Sequence, residues 1–308
     1  MTASARRGRL RHGLGCLGAL AAVLLTTTAC GSLEELADPK AATPAGETMP
    51  ALRADPDAVA VLPASVASRH VLRVAIPTNE PPTQFYKEGT RYMTGVNPDM
   101  ARLIGEALGL AVDIKVVNFD SIIPGMAAGR YDMTVSSMTP TDKRIAVIDF
   151  VDYMQVGNAI VVAKGAPPMT KDTLCGKRTG VLIGSYQLTT NVPDYDQACV
   201  AGGRPRIATA QFQDTRQAIS ALTSGRLDAV LADSPILEYA ATQNPDVEIS
   251  QKYDFTPVAV GVVKEPALVN AVASALGSVI TAPAYREVLE KYGLQSAAIT
   301  QARVNAAQ

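Results

Sequence analysis

A four-residue punctuation occurs twice in this chain and limits its architecture more than any other feature. Gly129-Arg130-Tyr131-Asp132 leads from a helix-patterned stretch into a strand expected over 131–135, and Gly225-Arg226-Leu227-Asp228 leads from a helix-patterned 214–224 into an apolar strand at 229–232. In each copy Gly ends a helix in a left-handed cap, a cation stands near the helix C-terminus, and a β run follows. Such a connector is common, so duplication does not follow from it. Its positions mark two separate α/β units, and 308 residues are enough to give each its own core.

The first unit reads clearly. Val71 to Ile76 is a strand that ends at Pro77, followed by a Pro-rich loop. Asn97-Pro98 opens a helix as N-cap and first residue, and Met100, Leu103, Ile104, Ala107 and Leu108 recur at the spacing of one buried face. A strand at 112–117, a short helix at 120–128 and the strand at 131–135 follow. Strand, helix, strand, helix, strand predicts an α/β fold with a largely parallel sheet.

Arg6, Arg7, Arg9 and Arg11 precede an apolar stretch from Leu14 to Leu25 that ends in Thr27-Thr28-Ala29-Cys30. A basic segment, a short apolar segment and a small residue before the cut are features of an export signal. With Cys30 at the junction it is similar to a bacterial lipoprotein signal, although Thr27 stands where Leu is usual; an ordinary cleaved signal is the other reading. Removing residues 1–30 takes away four arginines and no acid, moving the formal charge from -1 to -5. An acidic exported chain does not suit nucleic acid. The only histidines, His12 and His70, lie near the start, outside the expected fold, which argues against imidazole catalysis and His-ligated metal. Once Cys16 and Cys30 are set aside, Cys175 and Cys199 remain. In an exported chain they read as a disulfide closing a loop of about 24 residues, worth about 3 kcal/mol in the chain-entropy model.

Ligands of parallel α/β sheets sit beyond the carboxyl ends of the strands. Those positions hold Asn79, Glu80, Phe85 and Tyr86; Asn118, Phe119 and Asp120; Ser136 to Arg144; Gly184 to Gln187; and Asp233-Ser234. The set is complementary to a zwitterion. Arg144 can hold a carboxylate in a bidentate fork, helped by Ser137, Thr139 and the N–H groups opening a helix at Ser185. Asp233 can accept from an ammonium, and Phe85, Phe119 and Tyr186 can flank the apolar body. Each has a plainer reading: Thr139-Pro140 looks like a helix start that leaves Arg144 in solvent, Asp233 caps the following helix, the phenylalanines are core, and Glu80 is a loop charge.

The run Ser136 to Arg144, followed by Asp149-Phe150-Val151-Asp152-Tyr153, resembles the S-x-x-x-T-x-x-R and following aromatic signature of the family 3 extracellular solute-binding proteins, polar amino-acid receptors of ABC importers. Leu72 to Ala75, Gly95-Val96-Asn97-Pro98-Asp99-Met100-Ala101, Leu174 to Lys177, both Gly-Arg-x-Asp copies, Asp233 and the run from Tyr285 to Gly293 extend the likeness over about residues 70 to 295. It implies a two-lobed periplasmic-binding-protein-like fold of type II with two crossing hinge segments. By the same resemblance Arg144, Ser137, Thr139 and Ser185 would hold the ligand carboxylate, Asp233 the ammonium, and Asn79, Glu80, Phe85, Phe119 and Tyr186 would meet the side chain.

The expected organisation is a lipoprotein signal at 1–30, a flexible tether at 31–69, a first lobe of 70–155 plus 258–298, a second of 156–257, and a tail at 299–308. Crossings are expected near 154–158 and 255–258. The expected product is a monomeric, non-enzymatic receptor, held to the outer face of the cytoplasmic membrane through Cys30. It would close on a polar amino acid and deliver it to permease subunits, without cofactor or metal. A dehydratase-like enzyme or a sensor on the same fold are the alternatives. Glu80 and Asn79 lean the ligand toward a cationic or hydrogen-bonding side chain.

Overall fold

The stretch expected to be tether enters the fold as two short helices, α1 (Pro56–Ala60) and α2 (Ala64–Ala67). The computed structural model describes residues 48–77 and 79–306, so the expected export signal, Cys30 and the tether up to residue 47 lie outside the described residues. From residue 48 onward the tether expectation is corrected. Asp55 accepts the Asp57 N–H as a helix cap and also takes the hydroxyls of Ser278 and Ser274 at 2.7 and 3.3 Å, while the Leu52 N–H donates to Glu106 and Ala58 and Val66 are buried. Asp-Pro reads as linker by composition, but it is equally an N-cap followed by proline at the first helical position.

His70 turns the chain at positive φ into β1 (Val71–Pro77). A small hairpin, β2 (Phe85–Tyr86) and β3 (Met93–Thr94), precedes α3 (Val96–Ala107). The helix starts two residues earlier than expected, with Gly95 as its cap; Asn97 lies inside the first turn, and the predicted apolar face is buried throughout. β4 (Ala111–Val117), α4 (Ile122–Ala127), β5 (Met133–Met138) and α5 (Asp142–Ile145) complete the first unit, with β4 and β5 pairing parallel on either side of β1.

β6 (Asp149–Ala163) then runs out of this unit into the second. There follow β7 (Arg178–Leu182), α6 (Val192–Ala201), β8 (Ala208–Phe212), α7 (Thr215–Thr223), β9 (Ala229–Asp233) and α8 (Ser234–Gln243). β10 (Val247–Val262) returns antiparallel to β6, and α9 (Pro266–Thr281) and α10 (Pro283–Lys291) pack on the first unit. The sheet order is β4-β1-β5-β10-β6-β9-β7-β8. One set of buried clusters draws on strand residues up to Val156 and from Val258, the other on residues from Ala159 to Tyr253, so β6 and β10 join two separate cores. Between them the β10 register shifts from Tyr253 to Thr256, with Asp254 at φ 48° and the exposed Phe255 ring against Gly157.

The doubled sequence punctuation has a doubled structure. Arg73 of β1 donates its backbone N–H, Nε and Nη2 to the Asp132 carboxylate and Nη1 to the Gly129 carbonyl. Arg178 of β7 makes the same four bonds to Asp228 and Gly225. Each Gly-Arg-x-Asp corner is therefore fastened to a parallel strand of its own lobe. Cys175 and Cys199 are bonded, with Cα atoms 5.6 Å apart, tying the entry of β7 to α6. The tail packs along the first-lobe half of β6: Val304 bridges Val151, Asn305 exchanges bonds with Phe150, and Arg303 pairs with Asp152 at 3.0 Å.

Candidate functional site

Strands β1, β5, β7 and β9 end on one cleft between the lobes, lined by Glu80, Thr83, Gln84, Phe119, Ser136, Ser137, Thr139, Arg144, Ser185, Tyr186, Gln187, Thr215 and Asp233. Eight of the ten ligand residues expected from sequence meet there. Asn79 and Phe85 do not.

Arg144 is buried rather than solvated. The helix-start reading of Thr139-Pro140 is two residues early, because Thr141 caps α5 and accepts the Arg144 N–H. This one-turn helix folds the guanidinium back over the end of β5, where Nη1 donates to the Thr139 carbonyl at 2.7 Å. Nη2 donates across the cleft to the Gly184 carbonyl at 2.8 Å, and the group lies 5.7 Å from the Phe119 ring centre. Burial lowers its pKa to about 10, while Asp233 and Tyr186 pull the other way. Two of five N–H donors are thus used on carbonyls, and the fork can still receive a carboxylate.

Asp233 stands at the cap position of α8, but its side chain makes no capping bond. It accepts instead from Gln187 Nε2 at 2.7 Å, and the same nitrogen donates to Asn158 at 2.9 Å. Burial raises the Asp233 carboxyl to about 6, against the pull of the Gln187 bond and of Arg144. A carboxylate and a guanidinium therefore face one another from opposite lobes across a desolvated gap, which strengthens the contacts each makes with a zwitterion.

Glu80 is no loop charge. It is 3% exposed, its Oε1 accepts the backbone N–H of Thr215 from the other lobe at 2.6 Å, and its Oε2 is buried with no hydrogen-bond partner. Burial raises its carboxyl to about 7; the Thr215 bonds oppose this, and Asp214 and Asp233 add to it. The loop carrying Glu80 rests on Gly95, where a Cβ would stand 2.5 Å from the Thr83 carbonyl oxygen. Behind it Asn97 donates to Gln84 at 2.7 Å and to Ser137 at 3.1 Å and accepts from the Tyr153 hydroxyl at 2.5 Å. Ser137 sits at φ 50° with its N–H on that hydroxyl. The network sets the height of both strand ends against each other.

Phe85 is corrected: the two-residue hairpin turns it onto Tyr292, edge to face at 6.4 Å, outside the cleft. Asn79, with its amide oriented so that acceptor meets donor, accepts from the Arg216 guanidinium at 2.8 and 3.0 Å. Gln84, Gln187 and Thr215 were not assigned roles from sequence. Gln187 adjoins Ser185-Tyr186, and Thr215 follows a capping Asp214, but their part depends on the opposite lobe. Among the described residues no three His, Cys, Asp or Glu side chains gather as a metal site would require.

Two α/β lobes on two continuous strands, with a polar cleft of fixed charges between them, define a two-lobed receptor for small solutes. The chain belongs to family 3 of the bacterial extracellular solute-binding proteins, whose family model matches residues 72–295. It is 26% identical over 253 residues to an arginine-binding protein of Corynebacterium glutamicum, covering 81% of this chain and 83% of that one. A solved ancestral arginine-binding protein bound to arginine superposes with a TM-score of 0.67 at 30% identity, covering 73% of this chain and 98% of the other. An ancestral amino acid-binding protein described as a precursor of cyclohexadienyl dehydratase gives a TM-score of 0.64 at 26% identity, covering 74% and 97%.

Proposed function

We propose that this protein is the exported receptor of an ABC importer and that it captures an α-amino acid with a cationic side chain. The observation that carries this reading is the three-cornered charge arrangement of the cleft. Arg144 offers a fork for the α-carboxylate, Asp233 across the cleft accepts from the α-ammonium, and Glu80 presents a partnerless, buried oxygen to whatever the side chain brings. Ser137, Thr139 and Ser185 assist at the carboxylate, while Phe119 and Tyr186 flank the aliphatic part. An apolar or acidic side chain would leave Oε2 stranded and an amide would meet it only as a neutral donor; a guanidinium or ammonium satisfies it with a charge-assisted bond. Similarity to arginine-binding proteins supports the same class.

Capture is reversible and changes no bond. Closing the lobes on β6 and β10 removes the ligand from water, and the closed form is the one presented to the permease. The dehydratase reading has less support, since the similar ancestral protein is itself described as amino acid-binding. Cys30 is the proposed site of the lipid anchor, and the protein acts as a monomer.

Two measurements test this. Mass spectrometry of ligand released from the purified protein should give an amino acid with a cationic side chain, recovered unaltered. Calorimetry across an amino-acid panel should rank L-arginine, L-lysine and L-ornithine above L-glutamine and L-glutamate. Turnover of the ligand, or a ranking led by acidic amino acids, would refute the reading.

A further inference from the structure

Helix α7, nine residues long, begins at the cleft, and the N–H groups of its first turn, which have no partner within the helix, are divided between the lobes. Asp214, its own cap, accepts the Gln217 N–H at 2.9 Å. The Thr215 N–H at the first helical position goes to Glu80, which belongs to the first lobe, at 2.6 Å. Glu80 therefore has one oxygen on the second lobe and the other buried without a partner, in a side chain that lines the ligand cleft. The titratable groups facing it are Asp214 and Asp233, both carboxylates that oppose its ionisation.

We infer that Glu80 couples the charge of the ligand side chain to lobe closure, acting as a latch between a bound cation and the N-terminus of α7. A cation at Oε2 keeps Glu80 ionised between two carboxylates. An ionised carboxylate at Oε1 is a much stronger acceptor for a helix N-terminal N–H than a neutral one. That bond exists only while the lobes are together, so a cationic ligand draws the lobes shut through Glu80 and a neutral isostere does not. By linkage, closure returns the same factor to the affinity for the cation. The latch rests on the cationic reading of the cleft proposed above and adds to it a route from recognition to conformation.

L-Arginine and its neutral isostere L-citrulline are the probes, with affinities read by calorimetry on the purified protein. In the unaltered protein arginine should bind at least about a hundredfold more tightly, and Glu80→Gln should remove most of that ratio. Thr215→Pro deletes the N–H that Glu80 receives and sets the proline Cδ in its place, so Oε1 must withdraw from the helix start; proline suits the first helical position, and Asp214 before it is already extended. It should cut the arginine-to-citrulline ratio about tenfold or more, while Thr215→Ala, which keeps the N–H and loses only the hydroxyl, preserves it. A ratio unchanged in Thr215→Pro overturns the latch and leaves the recognition site standing. Equal affinities in the unaltered protein, or a ratio unchanged in Glu80→Gln, overturn the cationic site and the latch with it. Amide exchange at Thr215 needs no variant: arginine should slow it at least about tenfold more than citrulline at equal saturation, and equal protection refutes the coupling.

Discussion

Arg144, carried by the first lobe, donates a guanidinium N–H to the carbonyl of Gly184, carried by the second, at 2.8 Å. The group proposed to hold the ligand carboxylate thus also spans the cleft. Arg144→Ala should weaken every amino acid alike, by about 3 kcal/mol or roughly a hundredfold in Kd, because a carboxylate would be buried without a partner. Arg144→Lys should restore little, since an ammonium cannot reproduce the planar fork. Calorimetry with L-arginine and L-citrulline checks both.

Gly184 is itself informative. Its φ is +74°, and a Cβ there would lie 3.2 and 3.3 Å from the Cβ and Cα of Asp120 on the opposite lobe. Gly184→Ala should therefore cost about 1 kcal/mol of stability through backbone strain and weaken ligand binding by roughly tenfold through obstructed closure. Small-angle scattering in saturating ligand should show a larger radius of gyration than the unaltered protein.

The two cleft carboxyls predict the pH dependence. Folding raises Glu80 from 4.5 to about 7 and Asp233 from 3.8 to about 6, chiefly by burial. Between the unfolded and folded values the native state binds more protons, so these groups make the ligand-free protein less stable as pH rises from about 4 to 7. A cationic amino acid reverses the preference by favouring both ionised forms. Affinity for L-arginine should accordingly weaken as pH falls below about 7, with proton release on binding. Calorimetry at pH 5 to 8 in buffers of different ionisation enthalpy reads that release, and Glu80→Gln should diminish it.

The docked segment before β1 should contribute to stability and not to binding. Asp55→Ala removes the cap of α1 and the acceptor of Ser278 and Ser274, and should cost about 1–2 kcal/mol in urea denaturation. The affinity for L-arginine should stay within about twofold, since Asp55 lies on the α9 side of the lobe, away from the cleft.

Much of the site is legible in the sequence because parallel α/β sheets gather ligands at strand ends, a rule that needs only the strands to be found. Arg144, Asp233, Glu80 and Ser185 all follow from it. What defeats the rule is chain reversal too short to leave a period: Phe85 sits on a two-residue strand and turns outward. Dipeptides with two meanings cause the other errors. Asp55-Pro56 signals linker or helix start, and Thr139-Pro140 imitates the cap that Thr141 supplies. Gln187 and Thr215 acquire their roles from partners far away in sequence, Asp233 and Glu80, and no local pattern encodes such pairs.

The docked tail has a practical consequence for anyone shortening this protein. A fragment cut to residues 72–295, the span shared with its family, would lose Val304 and Asn305 from the side of β6, and Arg303 from Asp152. It would show its neighbours an uncovered strand edge beside a buried carboxylate lacking its cation. Bare edges pair with one another, so oligomers of such a fragment would report where the scissors fell and not how the receptor assembles.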